Sequence, residues 1–370
     1  MLQGTQEGLL RLLAWIGLAG TSHGQPAWPW PLRLSGENLP IDLGQARRLA
    51  LGLGFLVTAG VAIVLACVWR RPRRYLLATV PLLLIVAPWP AAQVVLVPAY
   101  PTSFHRSPTG FSASSIALGQ ALYAHHCAGC HGDDGRGQTP IAASLSVWPP
   151  DLAGPLLWRR ADGDLLWHVR HGMKDRQGTM TMPAFSPLRD EDGWALIDFM
   201  KAQGAGQSLR ARGVWIRPIG LPNAEVHCEG REPRALSSWR GQRIRIVAAS
   251  MGGAPVTEDP RMTTVLLRPG HDDTGRQQAE CVIESRDAWK AFALIAGTDQ
   301  LAGTQLLADR DGWLRALGAP GSGGWSEDDL LCRSDTAAAA SSTPPADGLG
   351  ALVVRMDAEP VRFLKGGFVH

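Results

Sequence analysis

Residues 49–69 form an uninterrupted run of 21 residues without a charge, and this run constrains the fold of the chain more than any other feature. At 1.5 Å per residue, a helix of that length spans a hydrocarbon core of roughly 30 Å. Residues 75–97 are also uncharged, although they include three prolines, which a bilayer tolerates when neighbouring groups satisfy the freed carbonyls. Between the runs, residues 70–74 hold four arginines, and so short and basic a loop stays in the cytoplasm. We therefore predict a transmembrane hairpin over residues 49–98, rather than the buried hairpin of a soluble protein.

The distribution of charge supports contact with a lipid bilayer. Residues 1–111 carry nine arginines and three acidic residues, whereas the whole chain has a formal net charge of only +3. Such a balance excludes a nucleic-acid-binding protein and favours a membrane surface. The apolar stretch at residues 8–20 is too short to cross a bilayer and lacks the basic start of a signal peptide. We predict that residues 1–48 form a periplasmic or interfacial segment, with the Pro/Trp stretch at residues 26–31 at the headgroup level.

The motif C-x-x-C-H occurs at Cys127, Cys130 and His131. Two thiols at this spacing can add to the two vinyl groups on one edge of a porphyrin, and the turn between them brings the histidine beneath the iron. A C-x-x-C pair also suits zinc, but zinc needs two further ligands at similar spacing, and the sequence has no second C-x-x-C or H-x-x-x-H. We predict one covalently attached haem c.

The sequence around the motif indicates two helices. The first is expected over residues 112–126, with Ser112 or Ser114 as its N-cap. The second, residues 190–203, starts with acidic residues, continues with apolar positions on one face and is expected to stop at Gly204. The sequence Met-Pro-Ala-Phe at residues 182–185 lies between them.

These features together resemble the class I cytochromes c. The resemblance implies an all-α domain in which His131 is the proximal and Met182 the distal ligand of the iron. It also implies that the carbonyl of Pro150 accepts the proton on the proximal imidazole, which would fix its tautomer. Gly119 matches the family glycine at which the first and last helices cross closely, with Phe199 among the residues at the crossing.

Other distal ligands remain possible on the residues alone. Met182 precedes a proline, which holds it in an extended backbone and lets it point inward from a loop. A lone methionine is more often a core residue than an iron ligand. Met180 and Met173 are the alternative methionine ligands. His168 and His171 could give bis-histidine ligation, although a helix over residues 167–171 is expected to carry its histidines on the outside.

The remaining cysteines and the site of haem attachment bear on the compartment. Bacteria attach haem c outside the cytoplasm, which agrees with the basic loop lying inside. We expect the bacterial inner membrane as the location, with the haem and C-terminal domains in the periplasm. Cys228, Cys281 and Cys332 would then lie in an oxidising compartment and allow one disulfide, whose pairing the sequence leaves open.

After a linker at residues 204–213, the chain alternates strand-like and helical segments, which predicts a small α/β domain over residues 214–370. Strands are expected at residues 243–248, 262–267, 280–284, 304–308 and 313–317, and a helix at residues 287–296. An Asp-Gly pair between the last two strands predicts a hairpin. This region resembles thioredoxin-like and Sco-like folds but lacks their C-x-x-C, so a docking or structural role is expected of it.

The order of segments over residues 26–320 resembles the C-terminal half of copper-resistance-D-type membrane proteins that carry a cytochrome c domain. We therefore predict a multi-domain chain. Its expected parts are an N-terminal segment (1–48), a transmembrane hairpin (49–98), a cytochrome c domain (99–204) and a thioredoxin-like α/β domain (214–370).

Three functions are compatible with this organisation. The first is a membrane-anchored periplasmic cytochrome that passes single electrons to or from a membrane respiratory complex, such as an oxidase or a dehydrogenase, or another redox protein. It would have no catalytic residues of its own and would be an electron-transfer subunit of an oxidoreductase complex. The second is a copper-handling or oxidase-assembly factor, and the third is a structural subunit that docks through its C-terminal domain.

Overall fold

The computed structural model describes residues 2–36, 43–154, 157–158, 160–175, 177–251, 256–270, 278–320, 324–331, 347–364 and 367–369. The chain divides into two compact units, one that ends at Phe104 and one that begins at His105, with a few C-terminal residues assigned to the first.

The described residues of the first unit form four helices and four short strands. These are α1 (Leu2–Trp15), β1 (Thr21–Ser22), β2 (Gln25–Pro26), β3 (Leu32–Leu34), α2 (Leu43–Val68), α3 (Arg73–Val86), α4 (Ala92–Val95) and β4 (Leu96–Pro98). Strands β3 and β4 pair in antiparallel fashion, which ties the N-terminal segment to the chain that follows the second apolar run. The side chain of Gln6 adds two hydrogen bonds of 2.8 Å to the backbone of Leu34 and so fixes α1 on β3.

Helix α2 is long and apolar enough to cross a membrane. Among the described residues it is the one helix that meets both conditions. Its 26 residues cover about 39 Å at 1.5 Å per residue. The buried positions of α2 are small, namely Gly52, Ala59, Ala62 and Ala66, which allows α3 to pack closely against it. Most of the large apolar side chains of α2 are exposed, and Leu49, Phe55 and Leu65 are half-buried.

The second apolar run does not form one continuous helix. Helix α3 includes Pro81 and ends at Val86 after 14 residues, or about 21 Å. Its end has a local cause, because Ala87 precedes a proline and takes an extended backbone conformation (φ −56°, ψ 130°). The two-span hairpin therefore remains a prediction.

The second unit begins with helices and a short hairpin. These are α5 (Ala113–His126), α6 (Ala128–His131), α7 (Pro140–Ala143), α8 (Asp162–His171), β5 (Met173–Lys174), β6 (Met180–Met182) and α9 (Asp190–Arg212). The crossing of α5 and α9 is close at Gly119, as predicted. A Cβ atom added there would lie 1.9 Å from the carbonyl oxygen of Ala195, so only glycine fits. The rings of Tyr123 and Phe199 pack beside the crossing, 5.0 Å apart.

The predicted end of the last helix at Gly204 is wrong. Helix α9 continues to Arg212 and ends at Gly213, which takes a left-handed conformation (φ 70°). Residues 204–212 are therefore helical, not a linker. Packing explains the difference, since Ala202 and Ala205 are buried in the core of the C-terminal region, and this burial outweighs the roughly 1 kcal/mol cost of each helical glycine.

The C-terminal part of the second unit is rich in sheet. It contains β7 (Ile219–Gly220), β8 (Glu225–Cys228), β9 (Arg234–Ala235), β10 (Ile244–Ala248), β11 (Thr263–Arg268), β12 (Cys281–Glu284), α10 (Arg286–Ile295), β13 (Gln305–Ala308), β14 (Trp313–Gly318), α11 (Gly348–Ala358), β15 (Arg362–Leu364) and β16 (Gly367–Val369). The five predicted strands, the helix and the hairpin are confirmed within one or two residues. We call residues 214–358 the C-terminal sheet region.

Strands β7 to β14 form one eight-stranded sheet with the order β7-β14-β13-β10-β11-β12-β8-β9. Strands β10, β11 and β12 run parallel, and the other pairings in this sheet are antiparallel. Helix α10 covers one face of it together with parts of α5 and α9. The thioredoxin-like assignment of this sheet remains a prediction.

A disulfide joins Cys228 on β8 to Cys281 on β12, which are directly paired in the sheet. The pairing that the sequence left open is thus Cys228 with Cys281. Cys332 lies outside the described residues.

Candidate haem site

Helix α5 delivers the C-x-x-C-H motif to one end of the helical domain. The Ser112 hydroxyl caps its start by accepting a hydrogen bond from the amide of Ser115, as predicted. The helix ends at Cys127, and α6 follows as a single turn in which the carbonyl of Cys127 accepts hydrogen bonds from the amides of Cys130 (3.2 Å) and His131 (2.9 Å). The two thiols and the imidazole therefore project from the same turn.

The thiol of Cys127 is held in its neutral form. Cys127 is half-buried, and burial, with a smaller contribution from Cys130, raises the pKa of its thiol to about 11. Among the described residues, no group of three or more histidine, cysteine or acidic side chains is arranged to hold a metal ion such as zinc. Two thiols at this spacing suit covalent attachment to a porphyrin.

His131 has the surroundings of a metal-binding imidazole. Burial lowers its pKa, so the neutral form that binds metals is favoured, while the carbonyl of Pro150 acts on the ring in the opposite direction. The Nδ1 atom of His131 is buried and makes no hydrogen bond of standard geometry. With Nδ1 buried, Nε2 is the ring nitrogen left to bind an iron ion. The residues present therefore fit a haem with His131 as a ligand.

Four hydrogen bonds hold the segment around His131. The Tyr123 hydroxyl donates to the carbonyl of Gly132 (2.8 Å), and the Thr139 hydroxyl donates to that of Cys130 (3.3 Å). The amide of Gly137 donates to the carbonyl of His131 itself (2.7 Å). The side-chain amide of Gln203, on α9, donates to the carbonyl of Asp133. Both long helices of the domain thus contribute to fixing the turn.

Met182 lies on the β5–β6 hairpin that follows α8. It pairs with Met173 across the hairpin, and Gly172 keeps the hairpin against the end of α8. A Cβ atom at Gly172 would lie 2.4 Å from the carbonyl oxygen of Met182, and its positive φ (71°) also favours glycine. Met182 is half-buried, whereas Met180 is 48% exposed and Met173 37% exposed. Burial separates the three methionines and favours Met182 as the inward-facing one.

The two histidines of α8 differ in their environment. His171 is exposed and stacks on Trp167 with ring centroids 3.6 Å apart, as expected for an outward residue. The expectation is wrong for His168, whose two ring nitrogens are buried. Burial lowers the pKa of His168, and the charge of Arg160 lowers it further. Asp164, four residues earlier on the same helical face, is buried too, which only the structure shows.

Asp198 is a buried residue that the sequence reasoning missed. Its carboxylate accepts hydrogen bonds from the hydroxyls of Thr109 and Ser115 and links α9 to the start of α5. Burial raises the pKa of this carboxyl group. Asp198 lies five residues before Gln203 on α9, and its hydrogen bonds reach Thr109 and Ser115 rather than the C-x-x-C-H turn.

Residues 114–200 match the family model described as "Cytochrome C oxidase, cbb3-type, subunit III". The match spans the C-x-x-C-H turn, Pro150 and Met182 and ends on α9. It confirms a cytochrome c domain, which implies bound haem and electron transfer. No curated protein matches the chain.

Proposed function

We propose that this chain is a membrane-anchored c-type cytochrome of the periplasm that passes single electrons to or from a membrane respiratory complex. The observation that carries this proposal is the C-x-x-C-H turn, in which Cys127, Cys130 and His131 share one helical turn and the Nδ1 atom of His131 is buried. The match to an oxidase subunit over residues 114–200 supports a respiratory partner. The haem supplies the one-electron chemistry.

One haem c would be attached through Cys127 and Cys130, with His131 and Met182 as axial ligands. Methionine is a soft ligand that raises the haem potential relative to a second histidine. The half-buried position of Met182 and the exposure of Met180 support this assignment. The protein's own contribution is to bury the imidazole, to hold its tautomer through Pro150 and to keep the attachment turn rigid through Tyr123.

Anchoring would rest on α2 as one span and on the chain of α3 and α4 as the second. The connection between α2 and α3 contains Arg70 and Arg71, with Arg73 and Arg74 at the start of α3, and this supports a cytoplasmic loop. The segment before α2 and the chain after α4 would then both lie in the periplasm, where haem c is attached. The disulfide between Cys228 and Cys281 agrees with an oxidising compartment.

Helix α1 would lie in the membrane interface. One of its faces packs through Leu10 against Trp28 and Phe104, while Leu9, Leu12 and Trp15 are exposed. An exposed apolar helix face in the same compact unit as a candidate membrane span fits a position along the bilayer surface.

The C-terminal sheet region would dock the cytochrome onto its partner or support it, as a thioredoxin-like domain without the C-x-x-C pair. In this proposal the disulfide of β8 and β12 is structural.

The experiment that tests the function is purification of the chain from native membranes with its bound partners. We expect it to co-purify with subunits of an oxidase or a dehydrogenase, and its haem to be reduced or oxidised when the substrate of that complex is added. Isolation with tight, stoichiometric copper and a haem that does not respond to any respiratory substrate would contradict the proposal and favour a copper-handling role.

A further inference from the structure

Helix α9 belongs to two hydrophobic cores at once. Its first half contributes Trp194 and Ile197 to the core on the side of the haem-attachment turn. Its second half contributes Ala202 and Ala205 to the core of the C-terminal sheet region. The approach of this second half to α10 is close at Gly206, where an added Cβ atom would lie 1.9 Å from the carbonyl oxygen of Leu294. The position of α9 is therefore set by the sheet region as well as by the cytochrome domain.

Gln203 lies between these two alanines and faces the attachment turn. It is only 5% exposed, and its side-chain nitrogen donates a hydrogen bond to the carbonyl of Asp133, two residues after His131. Its side-chain oxygen lies 3.3 Å from the position that a Cβ atom would take on Gly135. The amide thus contacts both ends of the short segment from Asp133 to Gly135.

That segment is bonded to the stretch that carries Pro150. The carbonyl of Gly135 accepts a hydrogen bond from the amide of Leu152 (2.7 Å). Gly137 approaches Pro149 so closely that an added Cβ atom would lie 2.7 Å from its carbonyl oxygen. Pro150 stands between these two contacts, so the location of its carbonyl next to His131 depends on where the segment after His131 is held.

We propose that Gln203 is a positioning residue through which the C-terminal sheet region sets the environment of the proximal histidine. The sheet region fixes α9, Gln203 fixes the segment from Asp133 to Gly135, and this segment fixes the carbonyl of Pro150 against the imidazole of His131. This inference rests on the proposed haem function. Because the partner of an iron-bound imidazole tunes its basicity, a looser Pro150 makes His131 a weaker donor and raises the haem potential.

The test replaces Gln203 in the full-length, haem-loaded protein. Gln203→Met keeps the volume of the side chain and removes the donor. We expect the midpoint potential to rise. We also expect the Nδ1 proton of His131 to exchange with solvent about fivefold faster by NMR, the factor that corresponds to about 1 kcal/mol for one hydrogen bond. Gln207→Met, one turn further along α9, is the matched control, since no contact of its side chain with the attachment turn is found among the described residues.

The outcomes for the variants and the wild type separate this inference from the proposed function. A potential and a proton exchange rate that stay at wild-type values in Gln203→Met overturn the inference, and so does an equal change in Gln207→Met. If Gln203→Met does not fold, Gly206→Ala replaces it as the test. This substitution moves α9 away from α10 at the contact with the sheet region and leaves the attachment turn untouched. It should also raise the midpoint potential. A wild-type chain that binds no haem overturns the proposed function, whereas a haem-loaded wild type with an insensitive Gln203 overturns only this inference.

Discussion

The hydroxyl of Tyr123 donates a hydrogen bond of 2.8 Å to the carbonyl of Gly132, the residue directly after His131. Tyr123 is almost fully buried, and burial strongly raises the pKa of its phenol, so it is a permanent donor at physiological pH. Helix α5 therefore ends at the first cysteine of the motif and also holds the backbone that follows the histidine.

Removal of this hydroxyl should loosen the turn. Tyr123→Phe keeps the packing on Phe199 but leaves the Gly132 carbonyl without its donor, which should cost about 1 to 2 kcal/mol in the free energy of unfolding. Denaturant unfolding of the haem-loaded protein measures this directly. Tyr75→Phe is the control, because the exposed hydroxyl of Tyr75 accepts only a solvent-exposed hydrogen bond of 3.3 Å from Arg74, and its loss should change the free energy of unfolding by no more than about 0.5 kcal/mol. Equal stability of wild type and Tyr123→Phe would show that the bond is not formed.

The distal ligand can be identified by opening the iron. Met182→Ala should create a coordination position, so that the reduced protein binds carbon monoxide, while Met180→Ala should not. Strand alternation does not distinguish the two methionines, because residues two apart in a strand lie on the same face. The prediction rests on burial, since Met180 is exposed and Met182 is half-buried. Visible spectra of the reduced variants with carbon monoxide distinguish them. Binding by Met180→Ala alone would move the ligand to Met180, and binding by neither would favour His168.

The glycine at the helix crossing should not tolerate a side chain. Gly119→Ala places a Cβ atom 1.9 Å from the Ala195 carbonyl, which forces α5 and α9 apart. Overpacking should cost about 3 kcal/mol, reduced by about 1 kcal/mol of gained helix propensity. Gly204→Ala on α9 is the control, since its new Cβ atom would make only ordinary contacts at 3.5 Å or more. Thermal unfolding should show a lower midpoint for Gly119→Ala only, and an unchanged midpoint would mean that the helices do not cross there.

Asp198 should make stability depend on pH. Its pKa is raised in the folded chain, so the unfolded chain releases this proton first as the pH rises. The free energy of unfolding therefore falls between about pH 4, where an unfolded aspartate titrates, and the raised pKa. Asp198→Asn cannot ionise and should gain stability relative to wild type across this window. Denaturation midpoints of both proteins at several pH values measure the difference, and a wild type that gains on the variant as the pH rises would refute the assignment.

The sequence was most informative where chemistry or a close contact restricts the residue. The C-x-x-C-H turn, its capped helix and the glycine at the crossing were all predictable, because few residues other than those present can fill these roles. The continuation of α9 past Gly204 was not, since its helical glycines are stabilised by tertiary contacts with α10 that local propensity does not contain.

Two further features depended on the three-dimensional arrangement. The pairing of Cys228 with Cys281 follows from the order of strands in the sheet. The inward orientation of His168 follows from which face of α8 packs on the core. The early end of α3 could have been foreseen from the proline after Ala87, but the apolar composition of the run outweighed it.

The central claim is that Cys127, Cys130 and His131 hold one redox-active haem. The most direct measurement is the intact mass of the full chain, produced in a bacterium that matures c-type cytochromes, together with its visible spectrum before and after reduction. We predict a mass increased by one haem that survives denaturation, a reversible change of the spectrum on reduction, and loss of both in the variant that carries Cys127→Ser and Cys130→Ser. A chain with the mass of the polypeptide alone, or one that holds zinc at these cysteines, would contradict the claim.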